Sequence, residues 1–260
     1  MDEFKGKTAL ITGASSGIGE SFARLLAAAG ANLVLVARRE ERLQALAREL
    51  ASGYGIETEV IPRDLGVPGA ATELYRQIEE RGLIIDILIN NAGFGIQGDF
   101  LDAPLESHHQ TINVNVMALH DLTWLFARDM VGRGSGQILL VASIAAFMPV
   151  PRFTTYAATK AYVLNLGDSL AKELAPRGVK VTTLCPGGTA TEFFEHSGQE
   201  FGRWRALAMM SSDSVAKAAL EGLVRGRHVV VPGLLYKLSL LMLRLVPRRL
   251  QAVVGQLATD

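Results

Sequence analysis

Short, almost uninterrupted runs of apolar residues alternate with longer helical stretches along this whole chain. Seven runs have the length and composition of strands, at residues 8–12, 32–37, 57–61, 85–90, 137–142, 179–184 and 228–231. Helical stretches lie near residues 17–29, 39–51, 69–81, 105–133, 155–175 and 212–226. Strands that are apolar on both faces fit a parallel sheet covered on both sides. The alternation therefore predicts an α/β fold with a doubly wound, seven-stranded parallel sheet and helices on both faces.

The composition limits the class of protein. The 260 residues contain no linker or low-complexity tract, so we expect a single domain over residues 1–260. Basic and acidic residues balance at 26 each, whereas a nucleic-acid binder needs a positive surplus to neutralise phosphates. The one cysteine, Cys185, excludes an intrachain disulfide and favours a reducing, cytoplasmic compartment. We expect no targeting segment. We also expect no membrane span, because the most apolar stretch, 234–246, is short and contains two cations.

A glycine-rich turn follows the first strand. Residues 12–19 read Thr-Gly-Ala-Ser-Ser-Gly-Ile-Gly and lead directly into an Ala- and Leu-rich helix. Glycines let a ligand approach the backbone closely, and the helix N-terminus offers N–H groups and a positive dipole end to a pyrophosphate. The spacing G-x-x-x-G-x-G differs from the commoner G-x-G-x-x-G. Its position after the first strand still indicates a Rossmann-type dinucleotide site, with the candidate contacts Gly13, Ser15, Ser16, Gly17, Ile18 and Gly19.

Two arginines follow the second strand. Arg38 lies nineteen residues after Gly19, about where an acid would bind the ribose 2′-hydroxyl of NAD or an arginine the 2′-phosphate of NADP. Arg38 and Arg39 can make bidentate phosphate contacts and therefore favour NADP over NAD. Glu40 and Glu41 come next, and we interpret them as first-turn acids that stabilise a helix through its dipole.

Tyr156 and Lys160 are four residues apart in a helical stretch, so they share one face of the helix. A lysine ammonium next to a phenol favours the phenolate, and a tyrosine with a pKa below the usual value of about 10 can act as a general acid or base. Many helices contain such a pair by chance. The pair gains meaning only together with the nucleotide motifs.

Together these motifs resemble the short-chain dehydrogenase/reductase family over nearly the whole chain. The matching segments, in the family's order and at its usual spacing, are 12–19, Asp64-Leu65, Asn90-Asn-Ala-Gly93, Asn115, Ser143, Tyr156-x-x-x-Lys160 and Pro186-Gly187. Such a set is far more specific than any single motif, and no catalytic position departs from the family pattern. The resemblance implies hydride transfer between a nicotinamide and a carbonyl or alcohol.

The resemblance also implies a role for each catalytic residue. Tyr156 would give a proton to the carbonyl oxygen in reduction and accept it in oxidation, and Lys160 would lower the pKa of Tyr156 and bind the nicotinamide ribose. Ser143 would hold and polarise the carbonyl. Asn115 would support a water that links Lys160 to solvent, with the neighbouring Asn113 as the alternative assignment.

By the same resemblance, further cofactor contacts are expected where later strands end. They are Asp64 and Leu65 at the adenine, Asn91, Ala92 and Gly93 on the adenosine side, and Pro186, Gly187 and Thr189 at the nicotinamide. Residues 189–211 are expected to form a substrate lid, and the aromatic and Met residues in and near this region predict a lipophilic substrate.

Other reactive side chains have simpler interpretations. His108 and His109 are adjacent, with no metal-ligand spacing around them, so we expect surface histidines and no metal site. Cys185 is expected to be a buried, inert thiol. The apolar C-terminal extension, 234–260, is expected to pack on the domain or on a partner subunit, with contact to a membrane surface as the alternative. The nearly all-apolar helix 155–175 predicts a homodimer or homotetramer.

The sequence thus predicts an NADP-dependent oxidoreductase that reduces a lipophilic ketone or aldehyde. Its partner would be a small apolar carbonyl compound or alcohol, and not a nucleic acid. An NAD-dependent alcohol dehydrogenase that works oxidatively is one alternative. A non-catalytic nucleotide-binding sensor with the same fold is another, although such proteins usually lose the Tyr or the Lys.

Overall fold

The computed structural model describes residues 2–190 and 209–257. Seven strands form one parallel sheet: β1 (Thr8–Thr12), β2 (Asn32–Ala37), β3 (Thr58–Pro62), β4 (Ile87–Asn90), β5 (Gly136–Val141), β6 (Val179–Leu184) and β9 (Val229–Val230). Their order in the sheet is β3-β2-β1-β4-β5-β6-β9. The predicted doubly wound fold is confirmed. The strand order reverses between β1 and β4, and ligands bind in folds of this kind outside the carboxyl ends of the strands at that point.

Helices cover both faces of the sheet. They are α1 (Gly17–Ala28), α2 (Glu40–Tyr54), α3 (Ala70–Glu80), α4 (Leu105–Ile112), α5 (Leu119–Arg133), α6 (Thr154–Leu174), α7 (Ser212–Val224), α8 (Leu234–Leu243) and α9 (Arg248–Leu257). Alternation along each strand divides the core into two layers. In β1, Leu10 packs into the layer with α3, α5 and α6, whereas Ile11 packs into the layer with α1, α2 and α7.

The stretch expected as one helix over 105–133 is interrupted. Helices α4 and α5 are joined by a π-helical turn, Asn113–Ala118. Such turns occur often at functional sites. This one contains Asn115, which is fully buried. Apolar periodicity does not register one extra residue in a helical turn, so the interruption could not be predicted from it.

Two further strands were not expected. β7 (Thr189–Ala190) pairs in parallel with β8 (Met210–Ser211). They frame the stretch predicted as a substrate lid, but residues 191–208 of that stretch lie outside the described residues. Among the helices that the structure describes, none is long and apolar enough to cross a membrane.

Candidate active site

The glycine-rich turn between β1 and α1 is shaped for close backbone contact. Gly13 and Gly17 have φ values of +67° and +58°, which side chains rarely adopt. A methyl group at Gly19 would overlap the carbonyl oxygen of Gly13, so α1 packs directly on the turn. Ser16 precedes the helix in an extended conformation without capping it through its side chain. The backbone N–H groups at the start of α1 therefore have no side-chain cap. They lie beside a cleft that is lined in part by Gly17 and Ile18.

A hydrogen-bond network holds this turn against the end of β4. The Thr12 hydroxyl oxygen accepts from the backbone N–H groups of Asn91 and Ala92, both at 3.0 Å. The Asn91 amide nitrogen donates to the carbonyl oxygen of Thr12 at 2.9 Å. A Cβ at Gly13 would lie 2.8 Å from that amide nitrogen, so glycine is needed at this contact.

Three arginines line the cleft beyond the turn. The Arg39 guanidinium donates to the Ser16 hydroxyl at 2.7 Å and to the Ser15 hydroxyl at 3.2 Å. Arg38 is exposed and makes no hydrogen bond or ion pair within the described chain. Arg63, which the sequence analysis missed, follows β3, and its Nε is buried without a hydrogen-bond partner in the described residues. A buried guanidinium N–H without a partner is costly, and an anion in the cleft would satisfy it.

Asp64 and Leu65 line the cleft beside Arg63. One carboxylate oxygen of Asp64 accepts from the backbone N–H of Gly66 at 2.9 Å, which fixes the turn after β3. Leu65 is buried. Glu40 and Glu41 begin α2, as expected for first-turn acids, and neither is among the residues that line the cleft.

Ser143 and Tyr156 meet at the other end of the cleft. Ser143 comes two residues after β5, where its hydroxyl oxygen accepts from the Ala145 N–H at 3.1 Å. Tyr156 lies in the first turn of α6, and its hydroxyl hydrogen-bonds to Ser143. The Lys160 ammonium lies 5.6 Å from the Tyr156 ring centre and donates to the carbonyl oxygen of Val141 at 2.8 Å.

Burial dominates the protonation of this pair. It raises the pKa of Tyr156 to about 12, and the hydrogen bond from Ser143 offsets only part of this effect. Burial also lowers the pKa of Lys160 to about 8. Here the Tyr156 pKa lies above its usual value rather than below it, because the phenolate loses water on burial. That Lys160 lowers this pKa during catalysis stays a prediction.

Asn115 lies behind the cleft. Its side chain exchanges two hydrogen bonds with the backbone of Phe94, at 2.9 and 3.1 Å, and donates to the Thr159 hydroxyl at 3.0 Å. A Cβ at Gly93 would lie 3.0 Å from the Asn115 oxygen and 3.1 Å from the Lys160 nitrogen. Gly93 thus allows Asn115 and Lys160 to approach each other. Asn113, the alternative assignment, instead donates to the carbonyl oxygen of Gly66.

One cleft of about 1060 Å³ brings the candidate residues together. Gly19 and Asn115 lie behind the wall of this cleft, and all other site residues predicted from the sequence line it. Those lining residues are Gly13, Ser15, Ser16, Gly17, Ile18, Arg38, Arg39, Asp64, Leu65, Asn91, Ala92, Gly93, Ser143, Tyr156, Lys160, Pro186, Gly187 and Thr189. Arg63, Met148, Val150 and Phe153 also line the cleft, although the motifs did not single them out. For Met148, Val150 and Phe153, the position after β5 was the available signal.

His108 corrects one expectation. It is buried rather than on the surface, with its ring nitrogens 3.0 Å from the Phe100 carbonyl oxygen and 2.8 Å from the Thr155 hydroxyl. Because a carbonyl only accepts, Nε2 is the protonated nitrogen facing Phe100. His108 therefore fastens the segment before α4 to the start of α6, next to Tyr156. Helical spacing alone could not show which of two adjacent histidines faces inward.

Cys185 is fully buried, as expected, and burial raises its pKa to about 12. Within residues 2–190 and 209–257, no group of three or more His, Cys, Asp or Glu side chains could hold a metal ion.

The cleft fits a nicotinamide dinucleotide. Its wall is bare backbone at Gly13 and at Gly93, where a Cβ would crowd Asn91 and Asn115, respectively. The buried, unpartnered Nε of Arg63 indicates an anionic group at the end near Arg38. The Ser143 and Tyr156 hydroxyls at the far end suit a carbonyl oxygen.

Comparison with known proteins gives a consistent result. The short chain dehydrogenase family matches residues 7–201. An uncharacterised oxidoreductase of Staphylococcus epidermidis is 33% identical over 231 residues, which is 89% of this chain and 96% of that protein.

Solved structures are also similar to this chain. A short-chain dehydrogenase from Sphingobium yanoikuyae in complex with NADPH has a TM-score of 0.81 and 37% identity, covering 88% of each chain. The bulky-bulky ketone specific alcohol dehydrogenase from Comamonas testosteroni has a TM-score of 0.78 and 33% identity, covering 92% of this chain and 93% of that one. A short-chain dehydrogenase/reductase from Burkholderia phymatum in complex with NAD has a TM-score of 0.81 and 26% identity, covering 92% and 93%.

Proposed function

This chain belongs to the short chain dehydrogenase family and is an NAD(P)-dependent oxidoreductase of CH–OH and C=O groups, and from that premise we propose that it uses NADPH to reduce a lipophilic ketone or aldehyde. One observation supports the proposal most: a single cleft has three arginines at one end and Ser143, Tyr156 and Lys160 at the other. The bound nicotinamide would supply the hydride.

Tyr156 is proposed as the proton donor. With a pKa raised to about 12, its phenol is protonated at neutral pH, as a donor in the reductive direction must be. The Ser143 hydroxyl, hydrogen-bonded to Tyr156, would hold the same carbonyl oxygen and orient it toward the phenol.

Lys160 and Asn115 are proposed as supports for this donor. Lys160 would bind the nicotinamide ribose, and a Cβ at Gly93 would crowd its ammonium at 3.1 Å. Asn115 ties the Phe94 backbone to Thr159 on α6, one residue before Lys160. It would therefore position Lys160 relative to the end of β4.

The arginines support NADP as the cofactor. Arg38 extends into the cleft without a competing ion pair in the described chain, and Arg39 lies over the serines of the glycine-rich turn. Arg63 adds a guanidinium with an unsatisfied N–H in the same cleft. The NADPH complex of the Sphingobium yanoikuyae protein agrees with this choice, whereas the NAD complex of the Burkholderia phymatum protein keeps NAD as the alternative.

The lining of the substrate end supports a lipophilic substrate. Phe153 stacks near Tyr156, with ring centres 4.4 Å apart, and Met148, Val150 and Phe94 line the same end. A related dehydrogenase acts on bulky-bulky ketones by its name. We therefore propose a ketone with apolar groups on both sides of the carbonyl.

Assembly and location are part of the same proposal. Large side chains are exposed on and beside α5 and α6, among them Met117, Trp124 and Tyr162, and they support a homodimer or homotetramer through these helices. The buried, unpaired Cys185 is compatible with a reducing, cytoplasmic compartment.

A panel of apolar ketones and alcohols, followed at the nicotinamide absorbance with NADPH and NADP, tests the reaction. We expect NADPH oxidation with bulky apolar ketones. Faster turnover of alcohols with NAD would favour the oxidative alternative. NADPH binding without turnover on any compound would favour the non-catalytic sensor.

A further inference from the structure

The two C-terminal helices present an unusually apolar surface. We call the exposed side chains of α8 and α9 and of the turn between them the C-terminal surface. Leu234, Leu235 and Leu245 are 71%, 73% and 76% exposed. Only Leu243 among the residues of α8 is buried. Most leucines of this extension therefore do not pack on the domain, and packing on a partner subunit stays a prediction.

The charges on this surface all have one sign. Lys237, Arg244, Arg248 and Arg249 are exposed, and none forms an ion pair with the described part of the chain. No acidic residue occurs in the sequence between Glu221 and Asp260, although the whole chain is neutral. The C-terminal surface is thus a cationic, apolar region on an otherwise balanced molecule.

Specific contacts attach this surface to the domain. The Tyr236 hydroxyl accepts from the backbone N–H of Gly188 at 3.0 Å. A Cβ at Gly255 would overlap the carbonyl oxygen of Pro149, so α9 packs closely on the segment before α6. The Gln251 amide nitrogen donates to the carbonyl oxygens of Leu243 and Val246, at 3.1 and 2.9 Å, and fixes the turn between the helices.

We propose that the C-terminal surface docks on an anionic lipid bilayer. Leucines of α8 would enter the headgroup region while the arginines contact lipid phosphates, as amphipathic cationic helices do at membranes. A second copy of this chain fits less well. A two-fold contact would place this surface against itself, and the surface offers no acidic residue to pair with its cations.

The position of the surface suggests what docking would achieve. Through Tyr236 and Gly255 it adjoins Gly188 and the 149–150 segment, which line the substrate end of the cleft. Docking would therefore bring that end of the cleft near the bilayer, where lipophilic ketones partition. This last step rests on the proposed function, whereas docking itself does not.

Vesicle sedimentation of the full chain tests the proposal. Wild-type protein should sediment with phosphatidylcholine vesicles containing phosphatidylglycerol and not with phosphatidylcholine alone. Binding should weaken as salt rises from low to physiological concentration, because lipid charges are screened. The assay measures vesicle binding rather than turnover. An absence of binding would therefore contradict membrane docking without contradicting the proposed reaction.

Two triple variants sharpen the test. Arg244→Gln, Arg248→Gln and Arg249→Gln together should weaken vesicle partitioning about 10²-fold, because each cation near an anionic membrane raises the partition coefficient roughly fivefold. Arg48→Gln, Lys172→Gln and Arg177→Gln remove the same charge from exposed sites elsewhere and should leave partitioning close to wild type. Circular dichroism and NADPH fluorescence establish that both variants are folded.

A variant of the apolar side chains completes the set. Leu234→Ser, Leu238→Ser and Leu241→Ser should abolish sedimentation even at low salt. The proposal is overturned by equal binding of wild type to both kinds of vesicle, by no binding to either, or by equal losses in the tail and control triple variants. A drop in oligomer mass on light scattering for the leucine variant, without any vesicle binding by wild type, would assign the surface to a second copy.

Discussion

The two ends of the cleft are built from different parts of the chain. At the end with the glycine-rich turn, the bare backbone of Gly13 and Gly17 lines the cleft, and three arginine side chains lie beyond it. At the end with Tyr156, buried side chains from several separate segments meet. The first end is suited to binding a common phosphate group, and the second to selecting a substrate and moving a proton. The two functions should therefore respond separately to substitution.

Tyr156→Phe should produce the largest effect at the chemical end. It keeps the ring and removes only the transferable proton, so turnover should fall by at least about 10²-fold, the usual scale for loss of a general acid or base. Stopped-flow measurement of NADPH oxidation gives the rate, and nicotinamide fluorescence should show unchanged NADPH affinity. Tyr54→Phe, at the exposed end of α2 and outside the cleft, is the control and should be near normal. Near-normal turnover in Tyr156→Phe would contradict the proposed role of Tyr156 as the proton donor.

Replacing Arg38 and Arg39 with Ala should affect the other end alone. Loss of charge-assisted contacts to the 2′-phosphate should weaken NADPH binding by about tenfold or more and leave NADH binding almost unchanged. Fluorescence titration with both cofactors measures this difference. Arg42→Ala with Arg48→Ala, which removes two exposed arginines of α2 outside the cleft, is the matched control. Equal weakening of both cofactors would mean that the pair acts structurally.

The pH dependence should report the buried lysine. Because burial lowers the pKa of Lys160 to about 8, Lys160 is an ammonium below that pH and loses its proton above it. If the ammonium is needed, kcat/KM for NADPH should be level below the pKa and then fall, by no more than about tenfold per pH unit. A profile measured between pH 6 and 10 tests this. A level profile up to pH 10 would remove Lys160 as a required cation.

Met148→Ala should give the smallest effect, and only at the substrate end. Losing part of an apolar contact should raise KM for a bulky ketone about fourfold, the scale of one buried methylene group. NADPH affinity should not change. Met242→Ala, on the exposed face of α8, serves as the control in the same steady-state assay. A change in cofactor affinity without a change in KM would show that the two ends are not separable here.

The same contrast explains what the sequence could predict. The turn at 12–19 and the pair Tyr156 and Lys160 are local patterns, because backbone geometry and helix spacing fix them over a few residues. Arg63, Val150 and the inward side of His108 depend on which strands and loops become neighbours, and no short pattern records that. The π-helical turn around Asn115 and the pKa of Tyr156 depend on packing and burial in the folded chain, so neither followed from spacing.

If one end of this cleft selects NADP while the other performs the chemistry, cofactor preference should change without loss of turnover. We would measure kcat/KM for NADPH and for NADH in the wild type and in Arg38→Asp, with the same ketone. We expect that the wild type prefers NADPH and that Arg38→Asp prefers NADH, with turnover at saturating cofactor little changed. A wild type that prefers NADH, or a variant with an unchanged preference, would refute this division of the cleft.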